Sequence, residues 1–165
     1  MQIIAIDPGT TQSAFVYCSI YDGKVDYIID IGIEDNKTVL DYIKEEKYSG
    51  LVIEMIQSFG MPTGSSIFQT CVWIGRFTQG AIDSNRLRFV DYIHRSEEKM
   101  ELCGTMKSND RMIRKALIDL YAPDVPNSGK GTKKERGFFW GFHDDIWQAF
   151  AVAHTFAKHL DTGKR

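Results

Sequence analysis

Two carboxylates in this chain stand where a negative charge is costly unless something meets it. Asp7 closes the apolar run Gln2 to Asp7, just before Pro8-Gly9. Alternation along a strand puts Ile3, Ala5 and Asp7 on one face and Ile4 and Ile6 on the other. Glu54 is the sole charge in Leu51-Val52-Ile53-Glu54-Met55-Ile56 and shares a face with Val52 and Ile56. An ionised carboxylate in such surroundings needs a cation or a hydrogen-bond donor. Asp144 and Asp145 open the last helical segment, where the helix dipole and free N–H groups favour negative charge. Ala149, Phe150 and Ala153 behind them would pack that helix on a sheet and bring its start towards the strand ends. Three separate segments then aim carboxylates at one point. Hard divalent cations such as Mg²⁺ take oxygen ligands of this kind. Two such ions about 4 Å apart can activate a water and stabilise the leaving oxygen of a phosphodiester.

The same residues also fit plainer roles. Asp7 before Pro-Gly-Thr has the chemistry of a turn residue, and Asp144 or Asp145 that of an N-cap. Glu54 is harder to explain in this way, its plain role being that of a partner for a buried Arg or Lys. His143, beside Asp144, fits metal ligation, proton transfer or a simple flank to the helix start.

The elements that must position these groups follow from periodicity. Strands are expected at Gln2 to Asp7, Ser13 to Ile20, Lys24 to Ile31, Gly50 to Ile56 and Leu87 to Ile93. Tyr21-Asp22-Gly23 joins the second and third as a hairpin. Asn36 to Lys47 reads as a helix with Val39, Tyr42 and Ile43 as its apolar stripe. Ser65 to about Ala81 reads as a long buried helix containing Cys71, Trp73 and Phe77. Asn109 to Tyr121 is amphipathic, with Ile113, Ala116, Leu117 and Leu120 on one side. Pro123 to Gly141 is a polar loop, and the last helix runs from near Asp144 to about His159. The order β-β-β-α-β-α-β-α-α predicts an α/β fold, a five-stranded mixed sheet flanked by helices, as one domain over residues 1–165.

Charge is balanced, 20 basic against 22 acidic residues, so any nucleic-acid surface must come from distribution rather than excess. Lys130, Lys133, Lys134 and Arg136 crowd the loop before the last helix, where Gly129 and Gly131 are expected to give flexibility. Such a loop could hold a phosphate backbone or stay a solvated segment. Lys107, Arg111, Arg114 and Lys115 cluster around a helix start, with Arg111 and Lys115 on one face. Phosphate contact and a plain solvent face are both open for them. Phe59 and Met61 follow Glu54 in a loop, where Phe59 could stack on a base or cover the core. Phe138, Phe139 and Trp140 are expected in the core or a dimer contact, and Trp73 and Trp147 in helix packing. The three cysteines, Cys18, Cys71 and Cys103, have no CxxC spacing, which fits a reduced cytosolic protein. No apolar run approaches the roughly 20 residues of a membrane span, and the first residues lack a signal-peptide pattern.

Asp-Pro-Gly-Thr-Thr at 7–11 resembles the first-strand motif of RuvC-type Holliday-junction resolvases, nucleases of the RNase H-like superfamily. Glu54 in VIEMI resembles the family's second acidic residue, and D-x-W-x-A-F-A-V-A from Asp145 to Ala153 its last helix. The segments SFGMPTGSSIFQTCVWIGRF, LCGTMKSNDRMIRKALIDLY and GTKKERGFFWGF resemble phage-encoded members, and the likeness spans nearly the whole chain in order. It implies Asp7, Glu54 and Asp145, with Asp144 as helper, holding one or two Mg²⁺ or Mn²⁺ ions. A water would attack the scissile phosphate in line, leaving 5′-phosphate and 3′-hydroxyl ends. The resemblance also implies a loop around Phe59 that probes the centre of a four-way DNA junction, and a homodimer matching two symmetric cuts. Bacterial resolvases commonly carry two acidic residues three apart on the last helix; here Gln148 follows Asp145 at that spacing.

Gln148 leaves room for a protein that binds branched DNA without cutting it. A nuclease for forks, flaps or RNA–DNA hybrid fits the same residues. An actin- or sugar-kinase-type ATPase also begins with a strand and Asp-x-Gly-Thr-Thr, but needs a second domain and a second phosphate loop for which 165 residues leave no room.

Overall fold

The alternation in strand β1 (Gln2–Asp7) sorts the core into two halves. The computed structural model describes residues 1–58, 60, 64–84 and 87–164. β1 is the middle strand of a five-stranded sheet with β2 (Gln12–Tyr21), β3 (Lys24–Asp35), β4 (Gly50–Met55) and β5 (Phe89–His94), in the order β3-β2-β1-β4-β5. The first three strands meander antiparallel, while β1 with β4 and β4 with β5 are parallel. The Asp22-Gly23 turn works because both residues take positive φ, 50° and 66°, matching the twist of the strands it joins. The mixed sheet expected from the sequence is the one that forms.

Helices α1 (Asn36–Glu45) and α2 (Ser65–Asp83) cover one face, α5 (Ile146–Asp161) the other, with α3 (Arg95–Cys103) and α4 (Asp110–Tyr121) beside α5. Ile4, Ile6, Leu51 and Ile53 point to α1 and α2, packing on Val39, Ile43, Ile74 and Phe77. Ile3, Ala5 and Val52 point to α5, packing with Phe139, Phe142, Ala149, Phe150 and Ala153. Burying a side chain of this size contributes about 1.5–3 kcal/mol. α5 is therefore clamped to the sheet by small and aromatic residues, and its N-terminal end is fixed relative to the ends of β1 and β4.

Three expectations need correcting. α2 is not buried all round: Cys71 is exposed, as are Phe68 at 63%, Val72 at 54% and Ile82 at 52%, while Thr70, Ile74, Phe77, Gly80 and Ala81 face the sheet. Leu120 of α4 is likewise on the outside, leaving Ile113 and Leu117 to anchor that helix. α3 is an additional helix. Its sequence RSEEKMELC has no apolar stripe, and its one buried residue is an acid, Glu98. It starts through a reciprocal cap between His94 and Glu97 and stops at Gly104, which takes φ 66°.

Candidate active site

Sheet register brings the first two carboxylates together. β1 and β4 pair in parallel as Ala5 with Val52 and Ile6 with Ile53, so one more step sets Asp7 beside Glu54. Parallel neighbours run about 4.8 Å apart. Both residues continue the face of Ala5 and Val52, which α5 covers. Asp145 sits at the N-cap of that helix with no side-chain capping bond, so its carboxylate is not spent on the helix. Asp7 and Glu54 likewise make no hydrogen bond or ion pair among the described residues. The turn and cap roles open to these acids therefore do not account for where their oxygens go.

Electrostatics ties the three together. Burial first, then the charges of Glu54 and Asp145, push the Asp7 carboxyl up to about 8, while Arg95 pulls it down. Burial also raises Glu54; Arg95 opposes it, and Asp110 and Asp145 add to it. Asp144 takes another course. Its backbone has φ 40°, and its Oδ2 lies 3.0 Å from His143 Nδ1, both side chains being largely exposed. Asp145 is exposed as well, yet its charge acts on both strand acids.

The turn after Asp7 is held from behind. Gly9 N–H donates to Ser13 Oγ at 3.1 Å, Ser13 Oγ donates to Asn36 Oδ1 at 2.6 Å, and Asn36 Nδ2 donates to Gly9 O at 3.0 Å. Asn36 is 1% exposed and Ser13 2%, so this closed ring of bonds is shielded from water. Gly9 is required, since a Cβ there would lie 2.2 Å from Gln12 O.

On the other side, Arg95 bridges Glu98 through Nη1 and Asp110 through Nη2. Glu98 is fully buried; burial, then Glu54, hold its carboxyl well above the carboxylate range against the pull of Arg95. Neither the Ser13–Asn36 ring nor the Arg95 bridge was read from the sequence. An Asn at a helix start looks like a cap. The signal for α3 was Glu97 at the third position of a helix closed by Gly104.

The donor set suits a hard cation. Every carboxylate here offers oxygen, and Glu98 Oε1 and Gln148 Oε1 are buried without a hydrogen-bond partner among the described residues. Gln148 lies one turn along α5 from Asp145 and turns a neutral oxygen inwards where an acid was looked for. Among the described residues, though, no group of three or more His, Cys, Asp or Glu side chains is placed so as to hold a metal ion.

The basic residues divide. Lys133, Lys134 and Arg136 are exposed, and Lys130 is half-buried, on a loop more ordered than its glycines led us to expect. Gly131 and Arg136 form a bridge, with Thr132 N–H donating to Glu135 O and Gly137 N–H to Lys130 O, each at 2.8 Å. Gly129 and Gly131 serve left-handed turns at φ 79° and 73°, and a Cβ on Gly131 would strike Glu135 O at 2.3 Å. The Arg136 guanidinium lies 5.1 Å from the Trp140 ring centre. Lys107 and Arg111 are exposed at the start of α4. Arg114 is turned inwards, 4.5 Å over the ring of Trp147, and Lys115 pairs with Asp119 at 2.6 Å. Phe59 and Met61 lie outside the described residues.

No family model and no curated protein matches the sequence. Solved structures do. Thermus thermophilus RuvC in complex with a Holliday junction substrate matches with TM-score 0.70 at 13% identity, over 99% of this chain and 96% of that one. The fowlpox virus resolvase, crystallised with Holliday junction DNA, gives 0.58 at 16% identity, over 97% and 99%. The yeast mitochondrial Holliday junction resolvase Ydc2 gives 0.57 at 9%, over 98% and 83%. At such identities the likeness lies in the path of the chain: this protein has the RNase H-like fold.

Proposed function

We propose that the protein is a metal-dependent endodeoxyribonuclease that cuts branched DNA, with the four-way Holliday junction as its substrate. The observation that carries this reading is the meeting of Asp7 and Glu54, on adjacent strand ends, with Asp145 at the start of the helix over the same face. The shared fold with junction resolvases supports the choice of substrate.

In this reading Asp7, Glu54 and Asp145 hold one or two Mg²⁺ or Mn²⁺ ions, and Asp144 lends charge from the exposed side. When bound, such an ion supplies a Lewis acid that activates water and neutralises charge on the departing oxygen. The buried surroundings keep Asp7 and Glu54 from drifting into solvent and strengthen their grip on a cation. Lys133, Lys134 and Arg136, on the ordered loop ahead of α5, track the phosphate backbone and offset its repulsion from the acids. Lys107 and Arg111 extend that track at α4, while Arg114 and Lys130, both partly buried, help shape it. Phe59, shortly after Glu54 in the sequence, is assigned to the junction centre. The enzyme works as a homodimer in the cytosol. The exposed stripe of Phe68, Val72 and Ile82 along α2, with open space at Gly75, supports the dimer. No helix among the described residues is long and apolar enough to cross a membrane.

Cleavage of a labelled synthetic four-way junction in Mg²⁺ and in Mn²⁺ tests this, with linear duplex, flap and RNA–DNA hybrid alongside. Paired symmetric nicks at the junction support it; cutting of flap or hybrid instead moves the substrate. Gln148 favours a second reading, a protein that binds junctions without cutting them. Tight junction binding with no cleavage of any substrate would select it.

A further inference from the structure

We propose that Arg95 is the resident counter-cation of the acidic site: anchored by Glu98 and Asp110, it balances Asp7 and Glu54 and thereby sets how tightly metal is taken up. This deepens the metal-site reading above and rests on it.

The backbone delivers Arg95 to the site. β4 and β5 pair as Glu54 with Ile93 and Met55 with His94, and Arg95 is the next residue, the first of α3. His94 Nδ1 lies 3.3 Å from Met55 O, which pins the junction of β5 and α3 to the strand that carries Glu54. The guanidinium then engages Glu98 and Asp110 through different nitrogens. Glu98 approaches from the same helix three residues on, and Asp110 from the first residue of α4. A planar fork with several donors can be fixed in this way, where a lysine ammonium would keep its freedom.

The charge balance shows what the anchoring achieves. Asp7 and Glu54 are partly buried at neighbouring strand ends and Glu98 is fully buried, and the charges of these acids act on one another. Arg95, itself only 22% exposed at the side chain, is among the described residues a cation whose charge acts on all three acids. Yet it forms no ion pair with Asp7 or Glu54, because its hydrogen-bonding arms are turned to Glu98 and Asp110. Their oxygens stay open to an incoming ion. Arg95 thus stabilises the metal-free site without blocking it, and its positive charge weakens metal binding through space. It is a positioning residue, acting through the electrostatics of the acids rather than on substrate.

The test is thermal unfolding of the full chain in EDTA and across a Mn²⁺ series, for the wild type, Arg95→Gln and Arg95→Lys. Mn²⁺ raises the wild-type Tm. Arg95→Gln is expected to melt lower in EDTA yet bind Mn²⁺ on the order of tenfold more tightly, as loss of one nearby positive charge requires. Arg95→Lys, with the charge kept and an arm lost, should melt lower but bind Mn²⁺ like the wild type. Unchanged Mn²⁺ affinity in Arg95→Gln overturns the proposal even if that variant is less stable, because a merely structural bridge lowers Tm equally with and without metal. Should Arg95→Gln not fold, Arg95→Lys decides: wild-type affinity supports the proposal and altered affinity overturns it. A wild type that ignores Mn²⁺ overturns this proposal together with the metal-site reading.

Discussion

Asp7 and Glu54 end neighbouring parallel strands, one residue beyond the Ile6–Ile53 pair, on the face that α5 covers. Each carboxyl is raised by burial, and Glu54 raises Asp7 further. A carboxyl whose folded pKa lies above its unfolded value binds its proton more tightly in the fold. The stability linked to it is complete in acid and is lost as pH climbs from the ordinary carboxylate range to about 8. At neutral pH without metal, folding must therefore either protonate Asp7 or bury its charge, and both cost stability. Asp7→Asn should raise the Tm in EDTA, by an amount on the order of a few kcal/mol. It should also abolish junction cleavage and the Mn²⁺-induced rise in Tm while leaving DNA binding largely intact. Cleavage retained by the variant would remove Asp7 from the site.

The Ser13–Asn36 ring predicts a different kind of loss. Asn36→Ala leaves Ser13 Oγ and Gly9 O without their buried partner. The cost is about 1–3 kcal/mol for each orphaned group, and the Pro8–Thr11 turn loosens beside Asp7. Urea unfolding should show lower stability, and single-turnover cleavage should slow far more than junction binding weakens. Equal losses in binding and cleavage would mean the ring supports the fold alone.

Much of this architecture was legible in the sequence because local rules and packing agree. The two-residue alternation in Gln2–Asp7 and Gly50–Met55 placed Asp7 and Glu54 correctly with respect to their own strands. The small and aromatic residues of α5 told which way it packs. What stayed hidden depends on residues that break those rules. Glu98 is a charge in a core position, so α3 shows no apolar period, and nothing in the sequence around its partner Arg95 sets it apart from a surface cation. Ser13 and Asn36 are 23 positions apart and meet only through the sheet. The glycines of the 129–137 loop looked like hinges because composition does not distinguish a left-handed turn from a mobile one.

The outer face of α2 carries the dimer prediction. Phe68, Val72 and Ile82 are each more than half exposed on one stripe, where a second copy can cover them. Phe68→Glu together with Ile82→Glu should convert a dimer to a monomer in sedimentation equilibrium while the far-ultraviolet spectrum stays unchanged. Junction cuts should then lose their pairing, with single nicks accumulating. A wild type that sediments as a monomer at all concentrations would exclude the dimer.

His154 gives the fold an acid limit. Its Nδ1 lies 2.7 Å from the Tyr121 hydroxyl, and burial, then Lys158 and Lys24, lower its pKa to about 4. A histidine depressed in this way stays neutral in the fold and protonates in the unfolded chain. Its contribution is complete above pH 6.5 and is lost as pH falls through that value towards 4. His154→Gln should be less stable than the wild type at pH 7.5, since it disturbs the packing of Tyr121 on α5. The difference should narrow at pH 5. Parallel stability curves from pH 7.5 to 5 would show that another group sets the acid limit.

Gln148 offers the sharpest test of how the chemistry is distributed. It stands one turn from Asp145 on α5, its Oε1 buried and, among the described residues, without a hydrogen-bond partner. A glutamate at that position differs by a single charged oxygen and needs no repacking. In EDTA the added charge joins Asp7, Glu54 and Glu98 and should lower the Tm. In Mg²⁺ it should tighten metal binding and shift half-maximal cleavage to several-fold lower metal concentration, because opposite charges at short range in a poorly hydrated site interact strongly. If wild-type cleavage is weak, Gln148→Glu should strengthen it. A variant whose metal requirement is unchanged would place Gln148 outside the coordination sphere, leaving Asp7, Glu54 and Asp145 to carry the ion between them.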